Sequence, residues 1–384
     1  MYFMKGPQMK MTQPLSSMEL RKQNRNRVYR TILDRRAVTK QELAQLLTMS
    51  MPTVTQNLRE LAEAGLIDDS ETTESTGGRR PHLLTPVYGA RFSVGAAMSA
   101  SHLHLVAVDL GQNIKASLLV AQKFSNTPEF GRKLLSRIES FLDENELERE
   151  RLLGIGLAIP GLISADGGQI EYAPTFGIRE GEPTVFTAQL PYRFHLDNDA
   201  TSGGFAEWSG RDGQRDMAFL SLSRGVGGAI LSGGRMVTGE HNYAAEFGHM
   251  CIHPGGKQCS CGRCGCLEAY CSAQRLTDDL GVNPTEFRER LAQGDPAVTR
   301  VWDEYLDNLV IAVGNIHTML DCDVVIGGVA SQFLPPYMGE LRARLRRANP
   351  LPPTADYVQL CRFEAKSSAM GAAMYFTENF ISEV

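Results

Sequence analysis

The chain has 384 residues, of which 42% are hydrophobic and 22% charged, a composition that fits an ordinary globular protein of two or three domains. No apolar run approaches the roughly 18–20 residues that a membrane span needs. Met1 to Pro14 carries Lys5 and Lys10 without an apolar stretch, so no secretory signal or membrane insertion is expected, and the location expected is cytoplasmic. The net charge of −5 is unevenly divided: residues 1–90 hold 13 Lys and Arg against 9 Asp and Glu, and the remainder holds 26 against 35. A basic head on an acidic body implies that only the head meets a polyanion.

Residues 1–17 are polar, Met-rich and aperiodic, and read as a mobile tail. From Met18 to about Arg36, Val28, Ile32 and Leu33 fall on one helical face. Thr39-Lys40-Gln41-Glu42 is a capping box ahead of Leu43-Ala44-Gln45-Leu46-Leu47. Ser50 can cap a second short helix, with Pro52 tolerated in its first turn. That helix turns Val54, Leu58 and Leu61 inward and Thr53, Thr55, Gln56 and Arg59 outward. Two short helices separated by Thr48-Met49-Ser50 have helix-turn-helix proportions. A polar stretch then leads to Gly77-Gly78-Arg79-Arg80-Pro81, the basic tip of a two-stranded wing. Residues 18–85 are therefore expected to form a winged helix-turn-helix. Ser50, Thr53, Thr55, Gln56, Asn57 and Arg59 would face a major groove, with Arg79 and Arg80 on phosphates or in a minor groove.

Beyond Thr85-Pro86 the pattern becomes an α/β body spanning 90–384. Strands are expected at Arg91–Met98, Leu103–Leu110, Leu153–Ile159, Phe194–Leu196, Met217–Ser221, Gly228–Leu231 and Asp323–Ile326. Helices are expected at Phe130–Leu142 and Trp302–Leu320.

Five of the eight cysteines lie between Cys259 and Cys271, which favours metal over disulfides. Cys259-Ser-Cys261-Gly-Arg-Cys264-Gly-Cys266 is a glycine-turned loop whose thiolates can converge on one ion, and His249 could complete a Cys3His zinc site. Four cysteines are one too many, so the spacing leaves open which three bind. A closed tetrahedral shell makes such a site structural. Leu196-Asp197-Asn198-Asp199-Ala200 places polar groups at a strand end. Ser223-Arg-Gly225-Val-Gly227-Gly228 follows a strand, so its amides could cradle a phosphate. Glu246 and Glu268 flank the proposed zinc loop.

In order along the chain, these motifs resemble the ROK family of repressors, open reading frames and sugar kinases. The run Glu246-Phe-Gly-His249, then Cys259 to Cys266 and Leu-Glu268, resembles its signature, and Pro160-Gly161 and Asn198-Asp199-Ala200 match further segments. The resemblance implies an actin-like, sugar-kinase (ribonuclease H-like) body of two α/β lobes with a sugar in the cleft. It implies one structural zinc on His249, Cys259, Cys261 and Cys266, with Cys264 outside the shell and the loop spanning 249–268. It also implies a sugar site of Gly161, Asn198, Asp199, Glu246, His249 and Glu268, in which Asp199 takes the general-base position of family kinases. Family kinases carry Asp-x-Gly-x-Thr after their first strand, whereas here Ala97-Met98-Ser99-Ala100-Ser101 stands in its place.

The sequence thus predicts a non-enzymatic, sugar-responsive DNA-binding regulator, a repressor released from operator DNA by a sugar or sugar phosphate, with Asp199 a vestigial base. Half-site spacing calls for a homodimer or homotetramer. The alternatives are an ATP-dependent sugar kinase with an added DNA-binding domain, and a regulator whose effector is a protein.

Overall fold

The computed structural model describes residues 16–72, 82–164, 166–209, 215–240, 242–349 and 354–384. Most of the expected tail and the expected wing tip with Arg79 and Arg80 lie outside the described residues.

The N-terminal unit comprises α1 (Ser17–Arg35), β1 (Val38–Thr39), α2 (Lys40–Leu47), α3 (Met51–Glu63), β2 (Ile67–Thr72) and β3 (His82–Pro86), with an antiparallel sheet in the order β1-β3-β2. Side-chain caps set its boundaries. The Ser16 hydroxyl accepts from the Glu19 amide, and the Glu19 carboxylate accepts from the Ser16 amide, so α1 starts just before the Met18 expected from periodicity. Thr39 and Glu42 close the same box on α2, and the Ser50 hydroxyl caps α3 through the Thr53 amide. Val28, Tyr29, Ile32, Leu43, Val54 and Leu61 are fully buried in a common core.

The first lobe follows as β4 (Phe92–Met98), β5 (His102–Asp109), β6 (Ile114–Ala121), α4 (Pro128–Glu144), β7 (Leu152–Ile159), the hairpin β8 (Leu162–Ile163) and β9 (Ile170–Tyr172), and β10 (Phe194–Asn198). Its sheet runs β10-β7-β4-β5-β6, parallel through β10, β7 and β4 and antiparallel beyond. α5 (Asp199–Ser209) leads to the second lobe. That lobe holds β11 (Met217–Leu222), β12 (Val226–Ser232), β13 (Arg235–Met236), α6 (Glu268–Cys271), α7 (Gln274–Thr277), α8 (Pro284–Ala292), α9 (Pro296–Leu320), β14 (Asp323–Gly327), α10 (Met338–Ala348) and β15 (Val358–Leu360). Its sheet is ordered β13-β12-β11-β14-β15.

The last helix, α11 (Ser367–Glu383), returns to the first lobe. α5 and α11 pack against each other between the lobes, α5 on β11 and β12, α11 on β4, β5 and β7. α11 buries Ala369, Met370, Ala372, Ala373, Met374 and Phe376, as a helix covered on most sides must. Absent side chains permit the approach. A Cβ on Gly95 of β4 or Gly156 of β7 would lie 1.8 or 1.9 Å from a carbonyl oxygen of α11, and one on Gly371 would lie 1.7 Å from the Ser202 oxygen of α5. The far end of α11 meets the N-terminal unit, where Ile381 and Val384 enter the core of Val28 and Ile32. The Asn26 amide donates to the Ile381 carbonyl, and Arg30 pairs with Glu378 at 3.4 Å. Among the described residues no helix is long and apolar enough to cross a membrane.

Replacing a helical glycine by alanine ordinarily stabilises by roughly 0.5–1 kcal/mol. Gly371→Ala is expected to do the opposite, costing about 1–3 kcal/mol by overpacking, which urea unfolding of the purified protein would measure.

Candidate functional site

The thiolate loop leaves the second lobe after Glu246 and returns at α6. His249, Cys259, Cys261 and Cys266 each bring one ligand atom within 4.8 Å of the others, while Cys264 is exposed and stays out of the cluster. Cys261 Sγ lies 3.8 Å from Cys266 Sγ, and Cys259 Sγ 3.9 Å from His249 Nδ1. A tetrahedron with metal–sulfur bonds of about 2.3 Å has a sulfur–sulfur edge near 3.8 Å, so this donor set fits a metal ion. The backbone N–H of Arg263 lowers the exposed Cys261 thiol to about 6, whereas burial raises Cys259. The loop is held from below: His253 Nε2 meets Asn308 of α9 at 2.6 Å, and the Lys257 amide donates to the Tyr270 hydroxyl at 2.6 Å.

Glu268 joins this loop to the glycine turn between β11 and β12. One carboxylate oxygen accepts from the Ser260 hydroxyl at 2.7 Å, and the other from the Val226 amide at 3.0 Å. That amide is consequently not available to a phosphate, and the Ser223 amide donates to the Gly225 carbonyl within the turn. The glycines there serve close packing: a Cβ on Gly228 would lie 2.2 Å from the Phe247 ring, and one on Gly227 2.8 Å from Ala200 Cβ at the start of α5.

Asn198 caps that helix. Its side-chain oxygen accepts from the Ala200 and Thr201 amides, and its amide donates to the Gly161 carbonyl at 3.0 Å, tying the Pro160-Gly161 loop to α5. Asp199, half-buried beside it, is pushed up to about 6 by desolvation and by the charge of Glu246, against the pull of the Ala200 and Asp199 amides. Glu246 is itself raised by desolvation and by Glu268, and drawn back by His249. Asp199, Glu246, His249 and Glu268 thus form one electrostatically linked group, with Asn198 and Gly161 at its edge. The group offers several oxygen acceptors and an imidazole to a neutral polyhydroxyl ligand.

On α3, Thr55, Gln56 and Arg59 are exposed and Thr53 is half-exposed, but each is already engaged. The Thr55 hydroxyl donates to the Met51 carbonyl, Gln56 donates to Glu60 at 2.9 Å, and Arg59 pairs with Glu63 at 2.7 Å. The Ser50 hydroxyl contacts that of Thr53 at 2.9 Å. Asn57 corrects an expectation. It is only 6% exposed and donates to the Thr53 carbonyl, because it shares the inward face with Val54, Leu58 and Leu61. Residues not anticipated from the sequence are Ser260, Tyr270 and Asn308, which position the loop. Tyr270 lies four residues after Cys266, close enough to be suspected, whereas nothing local marks Asn308.

A family model described as "ROK family" matches residues 97–379. The xylose repressor of Caldicellulosiruptor bescii is 24% identical over 84% of this chain and 87% of its own length. The DNA-binding transcriptional dual regulator NagC of Escherichia coli is 27% identical over 66% of this chain and 64% of its own. A solved ROK family transcriptional regulator, described as a homologue of the E. coli MLC protein, superposes with a TM-score of 0.75 at 21% identity, covering 95% of this chain and 97% of that one. This chain belongs to the ROK family.

Proposed function

We propose that this protein is a sugar-responsive transcriptional repressor, with residues 18–85 as its winged helix-turn-helix and residues 90–384 as its sugar-binding, actin-like body. The observation that carries it is the pairing of a complete acceptor group around Asp199, Glu246, His249 and Glu268 with a strand end that lacks a phosphate-holding carboxylate. Ala97 sits opposite His104 in the β4–β5 hairpin, whose turn closes through the Ser99 amide and the His102 carbonyl at 2.9 Å. A sugar is bound on one side of the cleft, while nothing in that turn holds Mg²⁺ and nucleotide phosphates, so Asp199 recognises a hydroxyl and does not start a phosphoryl transfer. Repressors among the relatives support the same reading. Thr53, Thr55, Gln56 and Arg59 present α3 to a major groove, and two heads on a homodimer or homotetramer match two half-sites. The effector favours a lobe arrangement in which the heads no longer fit, and it does so only through unequal affinity for the two arrangements.

His249, Cys259, Cys261 and Cys266 would hold a structural zinc. When bound, zinc fixes the loop and closes its shell without activating water. The chain's own Glu268 and Ser260 then keep the loop against the turn between β11 and β12.

The functional test is a thermal-shift screen with xylose, glucose, N-acetylglucosamine and their phosphates. A ligand of the native state raises the melting temperature by mass action, and the hit should release a DNA duplex selected by the protein. Asp199→Asn should weaken that hit by about ten- to a hundredfold. Stabilisation by none of them, with DNA binding unchanged, would favour a protein effector.

Affinity for the sugar should also fall with acid. A hydroxyl donates more strongly to Asp199 when the carboxyl is ionised, and with its pKa raised to about 6 that form is lost as pH drops from 7 to 5. Calorimetric titration across that range should show the fall in the wild type, and Asp199→Asn should lose the component centred near 6.

Metal analysis should find about one zinc per chain. Cys261→Ser should lose the metal and melt lower, while Cys264→Ser should keep both metal and melting temperature. A fully folded protein without metal would remove zinc from the proposal.

A further inference from the structure

Arg25 of α1 stands where body and head meet. Its guanidinium donates to the main-chain oxygen of Val384, the residue that follows α11, at 2.5 Å, and on its other side to Glu60 of α3 at 3.0 Å. Glu60 divides its two oxygens: Oε2 takes Arg25, and Oε1 takes the side-chain amide of Gln56. Gln56 and Arg25 together hold the Glu60 carboxyl below its ordinary range, so it is ionised at neutral pH. Gln56 is exposed on the outward side of α3. A glutamine reads adenine with its carbonyl oxygen and one amide hydrogen. The second amide hydrogen remains for Glu60, so the bond to Glu60 orients the reading edge without consuming it.

The Arg25–Glu60 pair adds little to folding stability, because its side chains are 33% and 35% exposed. Its geometry is specific all the same. The planar fork of arginine has donors for both the Val384 oxygen and the carboxylate, which a lysine ammonium cannot offer in the same fixed arrangement. Neighbouring contacts fix the same junction, with Asn26 on the Ile381 carbonyl and Arg30 on Glu378.

We propose that Arg25 is a positioning residue for base reading, which holds Gln56 through Glu60 and takes its own position from the end of α11. The proposal rests on α3 being the helix that reads DNA. It links the body to a single base-reading side chain, in addition to any change in the spacing of two heads.

The test uses the full chain and the duplex that the wild type selects from a randomised pool. Gln56→Ala identifies the base position that Gln56 reads. Arg25→Ala and Glu60→Ala should each lose about tenfold in discrimination at that position, with affinity for unrelated duplex, its salt dependence and the melting temperature unchanged. Arg25→Lys keeps the charge and should stay impaired, and Arg25→Ala added to Gln56→Ala should cost nothing more. Because Glu60→Ala breaks the bridge from the α3 side, misfolding of one variant does not decide the matter. Weaker binding of Arg25→Ala to every duplex with a flatter salt dependence would make Arg25 a phosphate contact and overturn the proposal. Restoration by lysine would overturn it too. Loss of discrimination in Gln56→Ala but not in Arg25→Ala would overturn the relay alone, whereas unchanged preference in Gln56→Ala would overturn base reading by Gln56 and the relay with it, leaving α3 to read through Thr53, Thr55 and Arg59.

Discussion

The backbone of α11 touches that of α5 at Gly371 and Ser202, and it touches the first sheet at Gly95 and Gly156. Four segments meet there without side chains between them, and interiors packed this closely transmit displacement without absorbing it. α5 begins with Asp199 at the proposed sugar site, and α11 ends against α1. One end of this pair therefore lies at the proposed sugar site and the other carries the head. Motion between the lobes must move the two helices as bodies, because neither can slide over the other while Gly371 faces a carbonyl.

The glycine turn between β11 and β12 shows how one composition serves different ends. Three glycines after a strand suggest a phosphate cradle, yet here Gly228 and Gly227 let the start of β12 lie under Phe247 and against Ala200, with the Val226 amide held by Glu268. Glu268 is thus fixed before any ligand arrives, and so is the loop that carries the thiols. If the group binds hydroxyls as proposed, being prepared in this way means that it loses little entropy on binding.

What was legible in the sequence was what depends on near neighbours. The Thr39–Glu42 box, the Ser50 cap and the clustered thiols each act over a few residues, and each is formed as spaced. Even the misplaced Asn57 was readable in principle, since positions 54, 57, 58 and 61 are one face of a helix. α11 was not, because Ala, Gly and Met on most sides leave no polar face to set a period. Nor were Arg25–Glu60 and His253–Asn308, whose partners are 35 and 55 residues apart and are joined only by the fold. Asn198 was expected among the sugar-binding groups, but which of its atoms cap α5 depends on where Gly161 comes to rest.

The order of synthesis gives the junction of α1 and α11 a further meaning. The head leaves the ribosome before the body, and the helix that seats it follows roughly 300 residues later, a delay of about 15–60 s at elongation rates of about 5–20 residues per second. During that interval the hydrophobic surface around Val28 and Ile32 has no Ile381 or Val384 to cover it, and Arg25 has no Val384 oxygen to meet. A nascent head can fold around its own helices, but its orientation is fixed only when the second lobe and α11 are complete. Seating of the head is thereby a late event in the maturation of the chain, after both lobes of the body have been made.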